Sequence, residues 1–213
     1  MTSDPALLLH QWLSPSFPVG AFSYSHGLET AVAEGQITDA ASAQAWIATA
    51  LEHGAGLSDA ILLAAAWRAE AGDPGALIDL ARALAPSAER LVEADRMGAA
   101  LARALTALHG HDLPDAPYPV VLGRAARLSD IPLPLTLRLS LQAFAANLVS
   151  ACVRLVPLGQ TEGQGITLAL MPLIERLALQ AEPGDTDLIG TSAVLLDIAS
   201  MRHETLNTRL FQS

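Results

Sequence analysis

Lysine is absent from this sequence; its 12 basic side chains are all arginine. Without lysine there is no P-loop cation for a nucleotide phosphate, no Schiff base and no covalent attachment of pyridoxal phosphate. Cysteine occurs once, at Cys152, so no internal disulfide forms and no CxxC pair exists, which fits a reducing compartment. Aromatic residues make up only 4% of the chain.

The charge balance excludes more. Twelve cations face 22 acids, for a net charge of -10, and phosphate neutralisation needs the opposite excess, so neither nucleic acid nor an anionic membrane is an expected partner. The amino terminus has no basic region ahead of its short apolar run, and the most apolar stretch, "AILLAAAW", stops at Arg68. Neither a signal peptide nor a membrane span is expected, and a cytoplasmic location follows.

What the chain does have is aliphatic material. Half of it, 51%, is hydrophobic, and leucine and alanine supply most of that. Both favour helices over strands. The expected fold is all-α, one helical domain of about ten helices spanning residues 1–213.

The punctuation agrees. Asp4-Pro5 starts a first helix that ends at Ser14-Pro15. A second is expected from near Ser23 to Gly35, and a third follows a cap at Thr38 or Asp39. Apolar residues at three- and four-residue intervals then mark helices at 58–71, 74–85, 87–108, 118–128, 134–156, 166–181 and 187 to about 205.

Several short stretches invite a chemical reading. In "SPSFPVGAFSYSHGLE", Ser23 or Ser25 as nucleophile with His26 and Glu29 would make a serine hydrolase, yet no GxSxG elbow or oxyanion device accompanies them. The plainer reading is that Pro18 and Gly20 shape a loop, Ser23 or Ser25 caps a helix, and Glu29 favours its dipole. "RHETLN" starts like the zinc-protease HExxH, but Asn207 stands where the second histidine belongs. "HGHD" at 109–112 lacks the second ligand cluster of a metal centre.

Asn147, Ser150 and Arg154 fall along one stripe of an otherwise apolar helix, where a cation requires a partner. The polar "PLGQTEGQ" that follows is expected as a loop between hydrophobic helices. Its side chains either hydrogen-bond exposed helix ends or offer directional contacts to a partner. The last stretch, "ASMRHETLNTRLFQS", is either a solvated tail or, with its arginines and Leu210-Phe211, a docking segment.

Three of these stretches together resemble the urease accessory protein UreF family: "LSPSFPVGAFSYSHGLE" its amino-terminal signature, "RLVPLGQTEGQ" its central one and "SMRHETLNTRLFQS" its carboxy-terminal one. They stand in the family's order and span essentially the whole chain.

The resemblance implies an all-α, non-enzymatic protein without cofactor, catalytic residue or metal ligand of its own. It would dimerise, join UreD (UreH in some organisms) and the GTPase UreG, regulate that GTPase, and help deliver nickel to apo-urease. Carried over by position, the partner-binding residues are Phe22, Ser23, Ser25, Gly27 and Glu29. To these are added Gln160, Glu162, Gly163 and Gln164 as a functional loop, and Arg202, His203, Glu204 and Arg209 in a partner-binding tail at about 202–213. The alternatives are the hydrolase using Ser23, His26 and Glu29, and a stand-alone nickel-binding chaperone, for which few histidines and one cysteine are a poor donor set.

Overall fold

The computed structural model describes residues 4–69, 74–190 and 192–213. Among these the chain is all-α, with no strand. The helices are α1 (Pro5–Trp12), α2 (Leu28–Ala33), α3 (Ala40–Glu52), α4 (Ala55–Arg68), α5 (Gly75–Ala83), α6 (Ala88–His109), α7 (Tyr118–Leu128), α8 (Leu133–Leu155), α9 (Gln160–Ala181) and α10 (Val194–His203). Single 3-10 turns lie at Ala21–Ser23 and Thr186–Leu188.

Helix starts follow local chemistry. The Asp4 carboxylate accepts from the Ala6 and Leu7 amides, and Pro5 takes the first helical position, where its missing N–H costs nothing. Asp39 caps α3 through the Ser42 amide at 2.8 Å, and the Ser42 hydroxyl accepts from the Asp39 amide in return. Ser87 caps α6, and Gly110, at φ 72°, closes it. The helix expected over 58–71 runs instead from Ala55 to Arg68 and ends where Ala69 turns extended (ψ 132°); residues 70 and 71 lie outside the described residues.

Three expectations are corrected. Neither Ser23 nor Ser25 is the cap of a helix running to Gly35: the chain makes a 3-10 turn at Ser23, extends through Tyr24, and begins α2 only at Leu28 after Gly27, with the Ser25 hydroxyl accepting from the Glu29 amide at 3.3 Å. And "QTEGQ" is not a loop but the first turns of α9. The Glu162 carboxylate reaches back to the Gly159 amide at 2.8 Å, satisfying one of the orphan donors that a helix start exposes. The helix expected from 187 is likewise shorter, starting at Val194.

One hydrophobic core runs through the molecule, with Leu9, Trp12, Ile47, Leu51, Leu101 and Leu122 among its buried members. The most extensive packing joins α4 to α7 and α8 to α9. Glycine allows both approaches: a β-carbon on Gly123 of α7 would lie 2.3 Å from the Leu63 carbonyl oxygen of α4, and one on Gly163 of α9 would lie 2.9 Å from Val153 of α8. Among the described residues α8 alone has the length and hydropathy of a membrane span. It packs against α9, α4 and α3 and buries leucines 133, 137, 141 and 148 in the core.

Candidate functional site

Ser25 to Leu28 form a tight turn in which two successive residues, His26 (φ 56°) and Gly27 (φ 76°), are left-handed. The Leu28 amide donates to the Ser25 carbonyl at 3.1 Å, the pattern of a type I′ turn. Glycine takes this conformation freely; histidine does so at a cost of about 1–3 kcal/mol, which its surroundings must offset. The turn directs the His26 ring at α6, with its Nε2 3.0 Å from both Arg90 Nη1 and Glu93 Oε1. The Phe144 ring of α8 meets it edge-on at 4.9 Å.

Helix α6 carries the rest of the charge. Arg90 and Glu93 are buried and joined by an ion pair. Burial works to raise the Glu93 carboxyl, but Arg90 and then His26, with their hydrogen bonds, outweigh it and hold it at about 2. Burial pushes His26 below its usual value, aided by Arg90 and opposed by Glu93. The same ring nitrogen can accept from Arg90 or donate to Glu93, according to its tautomer.

The end of the chain closes over this cluster. His203, the last residue of α10, is fully buried between two carboxylates, with Nδ1 2.6 Å from Glu89 and Nε2 3.2 Å from Glu29. Each ring nitrogen thus faces a carboxyl partner of its own. Arg209 pairs with the other oxygen of Glu89. Glu29 also accepts the amides of Leu210 (2.7 Å) and Phe211 (3.0 Å).

Beyond Phe211 the backbone pairs with the opening stretch. The Gln212 amide donates to the Ser23 carbonyl and the Ser25 amide to the Ser213 carbonyl, each at 2.8 Å. The Ser25 hydroxyl donates to the same Ser213 oxygen at 2.6 Å, and the Ser213 hydroxyl donates to Glu93 at 2.6 Å. Phe211 and Ser213 are buried.

Helix α8 braces the assembly from the other side. Asn147 donates to the Tyr24 carbonyl at 3.1 Å, and Arg154 to the Phe22 carbonyl at 2.9 Å. The Arg154 guanidinium also stacks over the Phe211 ring at 4.2 Å, a favourable cation–π arrangement. The isolated cation on the apolar helix thus finds its partners in the first and last stretches of the chain.

The family model described as UreF matches residues 37–171. A urease accessory protein UreF from Cereibacter sphaeroides (strain KD131) is 58% identical over 211 residues, covering 99% of this chain and all of the relative. The chain belongs to the UreF family. UreF proteins of Roseobacter denitrificans and Ruegeria pomeroyi are 50% and 44% identical over 213 residues, with 96% and 98% of their own lengths covered.

Against the UreF-like stretches, the structure brings the first and third together and ties the second to both through Arg154, while Gln160, Glu162, Gly163 and Gln164 lie further along, in the first turns of α9. Phe22 is 55% exposed; Gln160, Glu162 and Gln164 are exposed as well, and the Glu162 carboxylate accepts from the Gly159 amide. Arg202, Glu204 and Arg209 are also exposed, Arg202 pairing with Glu34 at 3.0 Å and Glu204 capping the Ala88 amide at 2.9 Å. Ser25, Gly27, Glu29, Gly163 and His203 are buried and Ser23 is partly so.

The triad arrangement does not form. No hydrogen bond links Ser23, His26 and Glu29 to one another: His26 faces α6, and Glu29 is occupied by the tail and His203. Glu89, Arg90 and Glu93 escaped the sequence reading. They left a signal, because Arg90 and Glu93 lie on the same stripe of α6 as the buried Met97, Leu101 and Leu105, and charges on a core-facing stripe need partners.

Proposed function

We propose that this chain is a urease maturation protein acting as a non-catalytic scaffold in the cytoplasm. It joins UreD (UreH) and the GTPase UreG, regulates GTP-dependent delivery of nickel to apo-urease, and works as a homodimer within that complex. Residues 1–213 act as one unit, with about 202–213 as the docking segment. Membership of the UreF family supports the reading.

The observation that carries it is the tail laid across the opening stretch by Glu29, Glu89 and Glu93. Internal partners occupy Ser25, Glu29 and His203, so these three, with Gly27, act by holding shape. The exposed Phe22, Arg202, Glu204 and Arg209 then make the contacts, since arginine and aromatic side chains dominate interface energetics. Ser23 supports Phe22 through its carbonyl bond to the tail. Gln160, Glu162 and Gln164 offer a second polar surface on the first turns of α9, where Gly163 sets the distance to α8.

The decisive experiment co-expresses the chain with UreD, UreG and urease, then measures complex formation, nickel content and urease activity with and without it. Loss of nickel loading in its absence is the expected result. A complex and an active urease that form equally well without the chain would refute the reading.

A further inference from the structure

A cavity of about 250 Å³ lies between α1, the 14–26 segment, α4, α6, α7 and α8. One water needs only about 15 Å³ of such space, and pockets for drug-sized ligands begin at about 300 Å³, so this one suits a small organic molecule. Protein interiors are otherwise packed to crystal density. Phe22, 55% exposed, is part of its wall and connects it to the surface.

Its lining is mixed in an informative way. Most of the wall is apolar, with Trp12, Leu63, Leu122 and Phe144 among the contributors. Asp59 of α4 also belongs to the wall and forms neither hydrogen bond nor ion pair with any described residue. Burial raises its carboxyl to about 6, with Arg90 opposing and Glu93 adding to the rise.

The other charged and titratable groups around it are accounted for. From α6, Arg90 is ion-paired with Glu93; His26 is held neutral between them. From α7, burial and then Asp59 raise the Tyr118 phenol, which stays neutral. Helix α8 contributes only neutral polar groups to this wall, Ser140, Asn147 and Ser150. One cation against two carboxylates leaves a single uncompensated negative charge when Asp59 is ionised. An unpaired carboxylate half-buried in a largely apolar wall is costly, and a cationic hydrogen-bond donor entering the cavity removes the cost.

We propose that the cavity binds a small organic ammonium ion, with Asp59 as its counter-ion and the rings of Trp12, Tyr118 and Phe144 lining its apolar part. Ammonium groups are attracted to aromatic faces, which adds to the ion pair. A neutral molecule of the same shape gains the apolar contacts alone.

The test is calorimetric titration of the full chain with phenethylamine and with phenethyl alcohol, a neutral match in size. At neutral pH the amine binds saturably, one per chain, at least about tenfold more tightly than the alcohol. Asp59→Asn weakens the amine about tenfold or more and leaves the alcohol unchanged. In the unaltered chain, lowering the pH from about 7.5 to about 5 weakens the amine by about the same factor, because Asp59 takes up a proton.

Absence of saturable binding overturns the proposal. So does equal affinity for amine and alcohol, or amine affinity indifferent to pH and to Asp59→Asn, either of which would mark an unspecific apolar void. The assay uses neither partner protein nor urease, so its failure would leave the proposed scaffold role standing.

Discussion

Gly27 and Ser200 touch backbone to backbone: a β-carbon on Gly27 would lie 2.6 Å from the Ser200 nitrogen. Helix α10 is held against the opening turn by the absence of a side chain. Gly27→Ala would meet both a left-handed φ of 76° and this contact, and is expected to cost about 3 kcal/mol or more in urea denaturation. Gly20→Ala is the control, since Gly20 has nearly the same φ, 77°, with nothing within 4 Å of an added β-carbon. It should cost only about 1 kcal/mol; equal losses would mean that the turn and not the helix contact decides.

Glu29→Gln tests what holds the tail. The carboxylate accepts two tail amides and faces His203, and the amide brings donors where only acceptors fit. A loss of about 3–5 kcal/mol is expected, as for breaking a buried ion pair. Hydrogen exchange at Leu210 and Phe211 should rise by orders of magnitude while the core of α7 keeps its protection. Unchanged exchange at those two amides would assign the tail's position to Phe211 packing alone.

Two acids of the interior pull stability in opposite directions with pH. Glu93 falls from 4.5 to about 2 on folding, so its contribution is complete above pH 4.5 and is lost as the pH drops towards 2. Asp59 rises from 3.8 to about 6, so the folded chain binds more protons across that window and stability declines as the pH rises through it. Asp59→Asn should therefore stabilise the protein above pH 6, by up to about 3 kcal/mol at about 1.4 kcal/mol per unit, and be nearly neutral near pH 4. Urea midpoints measured along a pH series give the answer, and a gain independent of pH would remove Asp59 from the account.

Partner contact and folding separate at Arg209 and Leu210. Arg209 is 39% exposed and pairs with Glu89, so Arg209→Ala should cost about 1 kcal/mol or less, yet abolish co-purification with UreD. Leu210, 70% exposed, should tolerate Leu210→Glu within about 0.5 kcal/mol while also losing the partner. Unimpaired co-purification of both variants would take the tail out of the interface.

Much of the architecture was legible because helix signals are local. Asp39, one of the two expected caps, does start α3, the 118–128 helix has the expected bounds, and the helix expected at 87–108 is displaced by one residue. The first turns of α9 were misread because glycines and exposed amides resemble a loop; the cap from Glu162 to Gly159 is the local bond that overrides that composition. Ser23 was misread for the opposite reason, since its hydroxyl suited a cap but the Ser25–Leu28 turn delays the helix.

The site itself was less legible. Glu29 and His203 lie 174 positions apart and meet only through packing of α10 on α2 and α6. Periodicity reports which face of a helix is buried, and it does not report which distant charge waits there. Only the misplaced charges on α6 pointed inward.

The bond between Ser25 and Ser213 spans 188 positions, and that span sets an order of events. During synthesis the opening turn and α6 emerge long before residues 209–213, and contacts of such separation form late in folding. Until then Glu29 lacks its tail amides and Glu93 its terminal hydroxyl. Docking of residues 209–213 is thus the step that completes the polar interior, and a newborn chain halted before it would expose two carboxylates, Glu29 and Glu93, that the folded protein keeps buried.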